Sequence, residues 1–224
     1  MKKFFPPPEV TWGMILLVSL IFIIFLLPVL PITWQAGGSR ILYTIVYFSA
    51  IFSIEKRRKS ILVLSILAFC MEWLAGLFDL WLMTAVSKSL NVMFFLIIAI
   101  ILIKQVATAR EVNLKVILGS VLGYLLLGLL FSIFVTYIMV QDPGAFNISQ
   151  AGGQEPVTRL SESIYFTFVS LATLGYGDIL PLKPYSRSLA IFITISGQLY
   201  IAIIIAMLVG KFAGEGAKAI RDNG

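Results

Sequence analysis

The chain has no histidine, and among its 224 residues there is one cysteine, Cys70. Without histidine there is no imidazole acid–base catalysis, and Cys/His zinc sites are excluded; a solitary cysteine cannot close a disulfide within one chain. Charge is scarce as well, with 12% of residues charged against 59% hydrophobic. A water-soluble domain of this size could not bury so much apolar surface, so most of the chain is expected to have lipid as its solvent. No convergent set of catalytic groups is visible, and neither an enzyme nor a bound cofactor is expected. The net charge of +6 and pI near 9.5 do not indicate a nucleic-acid partner, because the basic residues sit at the ends of apolar runs, where they act as topology signals.

Six apolar runs emerge when charge, Pro and Gly are taken as boundaries: 10–30, 40–54, 60–85, 90–106, 114–140 and 184–212. A helix needs about 20 predominantly apolar residues to cross roughly 30 Å of hydrocarbon. The second run is short for that task and could begin nearer Trp34. The first is too long for the core of a cleavable signal peptide and is expected to be retained; Pro6, Pro7 and Pro8 ahead of it form an extended lead. A further apolar segment, 164–174, is too short to cross and runs into Gly and Pro, which is the profile of a re-entrant helix and loop. Placing both termini in the cytoplasm puts twelve of the 17 Lys and Arg residues inside, including the run Lys56-Arg57-Arg58-Lys59, as the positive-inside rule favours. That basic run reads as a topology determinant or as a site for anionic lipid. The outer loop 141–159 is rich in Gly, Pro and Gln and carries Asn147-Ile148-Ser149, formally a glycosylation acceptor. With 213–224 as the stretch after the sixth run, no nucleotide- or calcium-binding domain is expected.

The chemistry lies in Thr173-Leu174-Gly175-Tyr176-Gly177-Asp178. A dehydrated cation inside a membrane needs oxygens in place of its water shell, and symmetry-related strands with inward-facing carbonyls provide stacked rings of them. For successive carbonyls to face one side, the backbone must alternate through conformations that ordinary L-residues avoid; Gly175 and Gly177, at alternate positions, supply them. Thr173 can add a hydroxyl ring at the inner end, and Tyr176 can point away to brace the strand.

With its outer loop and short apolar helix before it and a long apolar run after it, this motif resembles the signature of the tetrameric potassium channel family, over about 114–212. The resemblance implies an all-α integral membrane protein: six transmembrane helices, a re-entrant pore helix and selectivity-filter loop between the fifth and sixth, and a homotetramer around a central pore. It divides the chain into a four-helix domain, 1–110, and a pore domain, 111–224. It implies K+ coordination by Thr173, Leu174, Gly175 and Tyr176, with Gly177 completing the filter and Asp178 at the outer mouth. Tyr165, with Phe166 beside it, falls where a pore-helix aromatic holds that Asp, and Arg187 matches an outer Arg. Gly197 falls on the inner-helix hinge position, where it serves as a hinge or as a packing glycine; by spacing from it, Ile205 and Val209 are candidates for an apolar inner gate. Three positions depart from the usual pattern: Leu174 for Val or Ile, Ala172 for a hydroxyl residue, and Val169 for a Glu found in some relatives. None removes a carbonyl.

The expected partners are three further copies of the chain, membrane lipids and permeant K+, in the plasma membrane. The expected function is passive, K+-selective conduction. A less selective monovalent cation channel and a non-conducting regulatory subunit are the alternatives. Six spans resemble the voltage-gated layout, yet 92–103 carries no charge and Lys104 stands alone at its inner end, so weak voltage gating is expected. Glu72 and Asp79, seven apart in the third run, lie near one helical face as a structural pair of acids or as a sensing site.

Overall fold

The computed structural model describes residues 8–53, 58–78, 81–109, 112–147 and 156–222. Those residues form seven α-helices: α1 (Pro8–Ile21), α2 (Ile32–Ser53), α3 (Arg58–Phe78), α4 (Trp81–Thr108), α5 (Leu114–Gln141), α6 (Pro156–Leu171) and α7 (Pro184–Asp222). Two short strands, β1 (Phe146–Asn147) and β2 (Leu180–Pro181), pair antiparallel with Phe146 opposite Pro181. Among the described residues four segments are long and apolar enough to cross a bilayer: Val10–Val29, Val86–Thr108, Leu114–Gln141 and Pro184–Phe212. The apolar stretches of α2 and α3 are shorter, Ile41–Ser53 and Ile61–Ala75.

Several helix boundaries differ from the hydropathy reading. The third run does not continue to residue 85, because α3 stops at Phe78 and Trp81 already belongs to α4; hydropathy passes over this break, since the residues on both sides are apolar. Helix α6 starts at Pro156, eight residues before its apolar half. Its first turns carry Arg159, Ser161 and Glu162, which read as loop, while Pro156 occupies the first helical position, where a missing N–H costs nothing. At the end of α1 a π-helical segment, Phe22–Leu26, gives way to a 3-10 turn, Leu27–Val29, that contains Pro28. A proline cannot donate into the ladder, and the helix exits through these irregular turns. Asn113 caps α5, its side chain accepting the Val116 N–H at 3.1 Å, which fixes the start of that helix at Leu114.

Lipid removes most of the hydrophobic drive for helices to associate, so contacts depend on close packing and interhelical hydrogen bonds. Both are present. Tyr47, Phe94 and Phe95 are buried where α2 meets α4, with Tyr47 and Phe94 edge to face at 4.9 Å. Beside them Glu72 Oε2 on α3 accepts from Ser87 Oγ (2.7 Å) and Asn91 Nδ2 (2.9 Å) on α4. Tyr47 Oη donates to Asn91 Oδ1. Glu72 thus accepts from neutral donors through a polar cluster that ties three helices together. Asp79 lies outside the described residues.

Helices α5, α6 and α7 form the other half of the molecule. Phe131, Val135, Met139, Phe146, Phe166 and Ile193 build its core. The α5 backbone lies so near α6 that a Cβ on Gly128 would stand 2.3 Å from the Phe168 ring. At the opposite end Lys211 Nζ on α7 donates to the Val106 carbonyl at 2.6 Å, a cation on the last turn of α4 where free carbonyls collect. Val106, Val116 and Ile204 are buried beside it.

Candidate functional site

The site begins with how α6 ends. Thr173 has φ +60°, its N–H bonds the Ser170 carbonyl at 3.0 Å, and the next amide, Leu174, reaches back to the Val169 carbonyl at 2.9 Å. This pair of 5→2 and 6→1 bonds around a left-handed residue is the Schellman motif, which satisfies carbonyls that a helix otherwise leaves bare. The left-handed position usually holds Gly; here it holds a β-branched Thr, a conformation that costs on the order of 1–3 kcal/mol and needs surrounding structure to hold it. Positive φ then recurs at Gly175 (+56°) and Gly177 (+78°). From 173 to 177 the strand therefore alternates with a period of two, and the alternation extends one step further inward than the glycines alone suggest.

The outer end of the strand is anchored by Asp178. Tyr165 Oη on α6 donates to Asp178 Oδ2 at 2.5 Å, and the Ile179 N–H donates to Oδ1 at 3.0 Å. The Tyr165 hydroxyl, with the backbone amides adding to it, holds the Asp178 carboxyl below its ordinary value near 3.8, because both donors favour the charged form. Phe166 points the other way and is buried edge to face on Phe146, with ring centroids 5.1 Å apart.

Beyond the strand the chain is clasped to the C-terminal end of α5. Asp142 closes that helix, its Oδ1 accepting from the Gly144 N–H at 3.0 Å and its Oδ2 from Tyr185 Oη. These donors, Tyr185 first, depress the Asp142 carboxyl in the same manner. Ser186, fully buried, donates to the Ala145 carbonyl at 2.8 Å and accepts the Lys183 N–H at 3.1 Å. The latter is the third-residue half of a capping box for α7, with Pro184 at its first position. Arg187 Nε donates to the Pro181 carbonyl at 3.2 Å, and Arg159 Nη1 to the Met139 carbonyl at 2.9 Å.

The N-terminal end of the strand rests on α7. A Cβ on Gly197 would lie 2.2 Å from the Leu171 carbonyl oxygen, so the backbone of α7 crosses the last turn of α6 at a distance only Gly allows. The helix is unbroken through this residue. Gln198, next to it, places Nε2 3.3 Å from Thr173 Oγ1. The sequence reading passed over Gln198, although an amide in the middle of an apolar span is a polar group that lipid penalises and therefore a signal. Ile205 and Val209 lie further along α7, both exposed within the chain, and Glu72 stands apart from the site in the four-helix half.

Residues 172–178 are exposed within the chain. In the most apolar 18 residues of Pro184–Phe212 17% are buried, against 61% for Leu114–Gln141; the strand and α7 are both sparsely covered.

Residues 123–213 match the family model described as an ion channel. The chain is 28% identical over 95 residues to the A-type voltage-gated potassium channel KCND3 of Homo sapiens, covering 42% of this chain and 14% of that protein. It is 36% identical over 67 residues to two pore potassium channel c of Oryza sativa subsp. japonica, covering 30% of this chain and 14% of that protein. To potassium voltage-gated channel protein shk-1 of Caenorhabditis elegans it is 28% identical over 69 residues, 31% of this chain and 13% of that protein. The chain thus spans about one-seventh of the length of these relatives. Over residues 123–213 the chain is thus similar to ion channels, and over parts of its length to potassium channels.

Proposed function

We propose that four copies of this chain assemble around a central axis as a passive, K+-selective conduit, with 173–177 as its filter. The observation that carries this reading is the alternation of positive φ at Thr173, Gly175 and Gly177. A strand whose carbonyls all turn to one side needs that alternation, and a cation stripped of water needs rings of such carbonyls. One chain supplies one strand, so closed rings require further copies. The exposed filter and the sparsely covered α7 supply surface for them. In this arrangement α1 to α4 each cross the membrane, since 22 residues of α2 and 21 of α3 reach about 30 Å at 1.5 Å per residue. Both termini are then cytoplasmic.

Each ion sheds its water onto successive carbonyl rings and moves in single file down its gradient, without a covalent step. Asp178, fixed by Tyr165, places negative charge at the outer mouth, and the Thr173 hydroxyls close the inner end. The test is ion flux into liposomes holding the purified protein. Selective K+ over Na+ uptake is expected, and Gly177→Ala is expected to abolish it with assembly intact. At φ +78° a Cβ is strained, yet nothing lies within 4 Å of it in the chain, so the defect belongs to the filter backbone rather than to packing. Unaltered selective flux in Gly177→Ala, or conduction by a stable monomer, would refute the reading.

A further inference from the structure

We infer that Gln198 is a positioning residue for the inner end of the filter, holding the Thr173 hydroxyl and thereby setting how strongly that end binds a cation. This rests on the reading of 173–177 as the filter and adds to it a residue on a different helix.

Three observations converge. Thr173 is a β-branched residue in left-handed backbone, with φ +60°, so its side chain projects from a conformation that needs outside support. The backbone of α7 meets α6 at Gly197, where a Cβ would stand 2.2 Å from the Leu171 carbonyl oxygen. That contact fixes the height of α7 against the helix end two residues before Thr173, and the next side chain, Gln198, reaches Thr173 Oγ1 with its Nε2 at 3.3 Å. Both partners are exposed within the chain, on the side the proposed axis occupies.

A hydroxyl has one hydrogen and two lone pairs, and an amide carries both donors and an acceptor. By donating to Thr173 Oγ1, Gln198 takes one lone pair and limits the rotation of the hydroxyl, leaving the other lone pair for an ion. The Gln198 carbonyl oxygen is left free to accept from a hydrated ion's water. In a tetramer this makes a ring of four amides directly beneath the filter. The ring joins the wide, wet part of the pore to the first dehydrated site.

Barium tests this, because Ba2+ has nearly the size of K+ and twice its charge and so reports the field of the site that holds it. The measurement is block of K+ current by Ba2+ on the cytoplasmic side, in planar bilayers with the purified wild-type protein, Gln198→Leu and Gln198→Asn. Leucine removes the donor. Asparagine keeps the amide but is one methylene shorter and cannot span the gap. Both variants are expected to raise the half-blocking concentration by at least about twofold, the lower end of what loss of one neutral hydrogen bond does to an equilibrium. Because residue 198 is exposed and Asn is small and polar, the Asn variant carries the test should the Leu variant fail to assemble. Wild-type block in Gln198→Asn would show that cavity polarity, and not the contact, matters, and would overturn the assignment. Unchanged or tighter block in both variants would overturn it too. A wild-type protein that carries no K+ current, or a Gly177→Ala variant that conducts normally, sinks the filter reading instead, which keeps the two failures apart.

Discussion

Replacing Gly197 by Ala adds one methyl group where the structure leaves no room for it. The new Cβ would stand 2.2 Å from the Leu171 carbonyl oxygen and 3.0 Å from the Leu171 carbonyl carbon and Cδ1, so backbone must retreat by at least 0.8 Å to restore a 3.0 Å contact. No side-chain rotation relieves this, because the obstacle is the main chain of another helix. Overpacking of this kind costs about 1–3 kcal/mol. Against it stands the helix propensity of Ala over Gly, about 1 kcal/mol. The net expectation is destabilisation of up to about 2 kcal/mol per chain, read as a melting temperature in detergent below that of a glycine-to-alanine change in open space. Gly210→Ala is the control, since nothing lies within 4 Å of its added methyl; it should melt at or slightly above the wild type. The displacement also reaches the filter, because Leu171 is two residues from Thr173, so K+ over Na+ discrimination should fall together with stability. A hinge role predicts the opposite pairing, an altered open fraction with melting and selectivity intact. A Gly197→Ala protein that melts no lower than Gly210→Ala would refute the packing account.

Three further outcomes follow from particular contacts. Asp178 is held below its ordinary value, so its charge stabilises the folded outer mouth above about pH 3.8 and that contribution is lost as pH falls toward the depressed value; in Tyr165→Phe, flux at acid outer pH should fail at a higher pH than in the wild type, and coincident profiles would show that the phenol does not matter. Glu72→Leu leaves the buried donors of Ser87 and Asn91 without an acceptor, at about 1–3 kcal/mol for each, whereas Glu72→Gln retains a carbonyl oxygen; melting should fall well below the Gln variant in the Leu variant, and equal melting would dismiss the cluster as a structural tie. Voltage should change conductance only shallowly, because α4 carries Lys104 at its inner end and no charge from 92 to 103, while each elementary charge moved through 100 mV contributes about 2.3 kcal/mol; a steep activation curve that flattens in Lys104→Gln would contradict this.

The parts of the molecule legible in the sequence are those where one residue type has few alternatives. The apolar run that begins at Leu114 marks a helix start, and Gly175 and Gly177 two apart mark alternating backbone. What sequence left hidden depends on tertiary placement. The polar first half of α6 reads as loop because hydropathy registers the solvent of a side chain and not the hydrogen bonding of its backbone. The division between α3 and α4 is invisible for a similar reason: apolar residues flank it on both sides. Thr173 in left-handed backbone could not be inferred from residue preference, which runs against it; the requirement comes from the helix end two residues earlier. Gln198 stands out as an amide in an apolar run, but its partner Thr173 is set by the packing at Gly197 and not by sequence.

That helix end has a mechanical consequence. The amides of Thr173 and Leu174 terminate α6, so this end of the strand cannot change shape without uncapping two carbonyls of that helix. At the other end, Tyr176 and Gly177 carry no such obligation, and their hold on the protein passes through Asp178, bound by the Tyr165 phenol and the Ile179 amide. The strand is clamped at its base and tethered at its tip. Thermal loosening should therefore run from Gly177 toward Thr173, with the Thr173 end the last to lose its form.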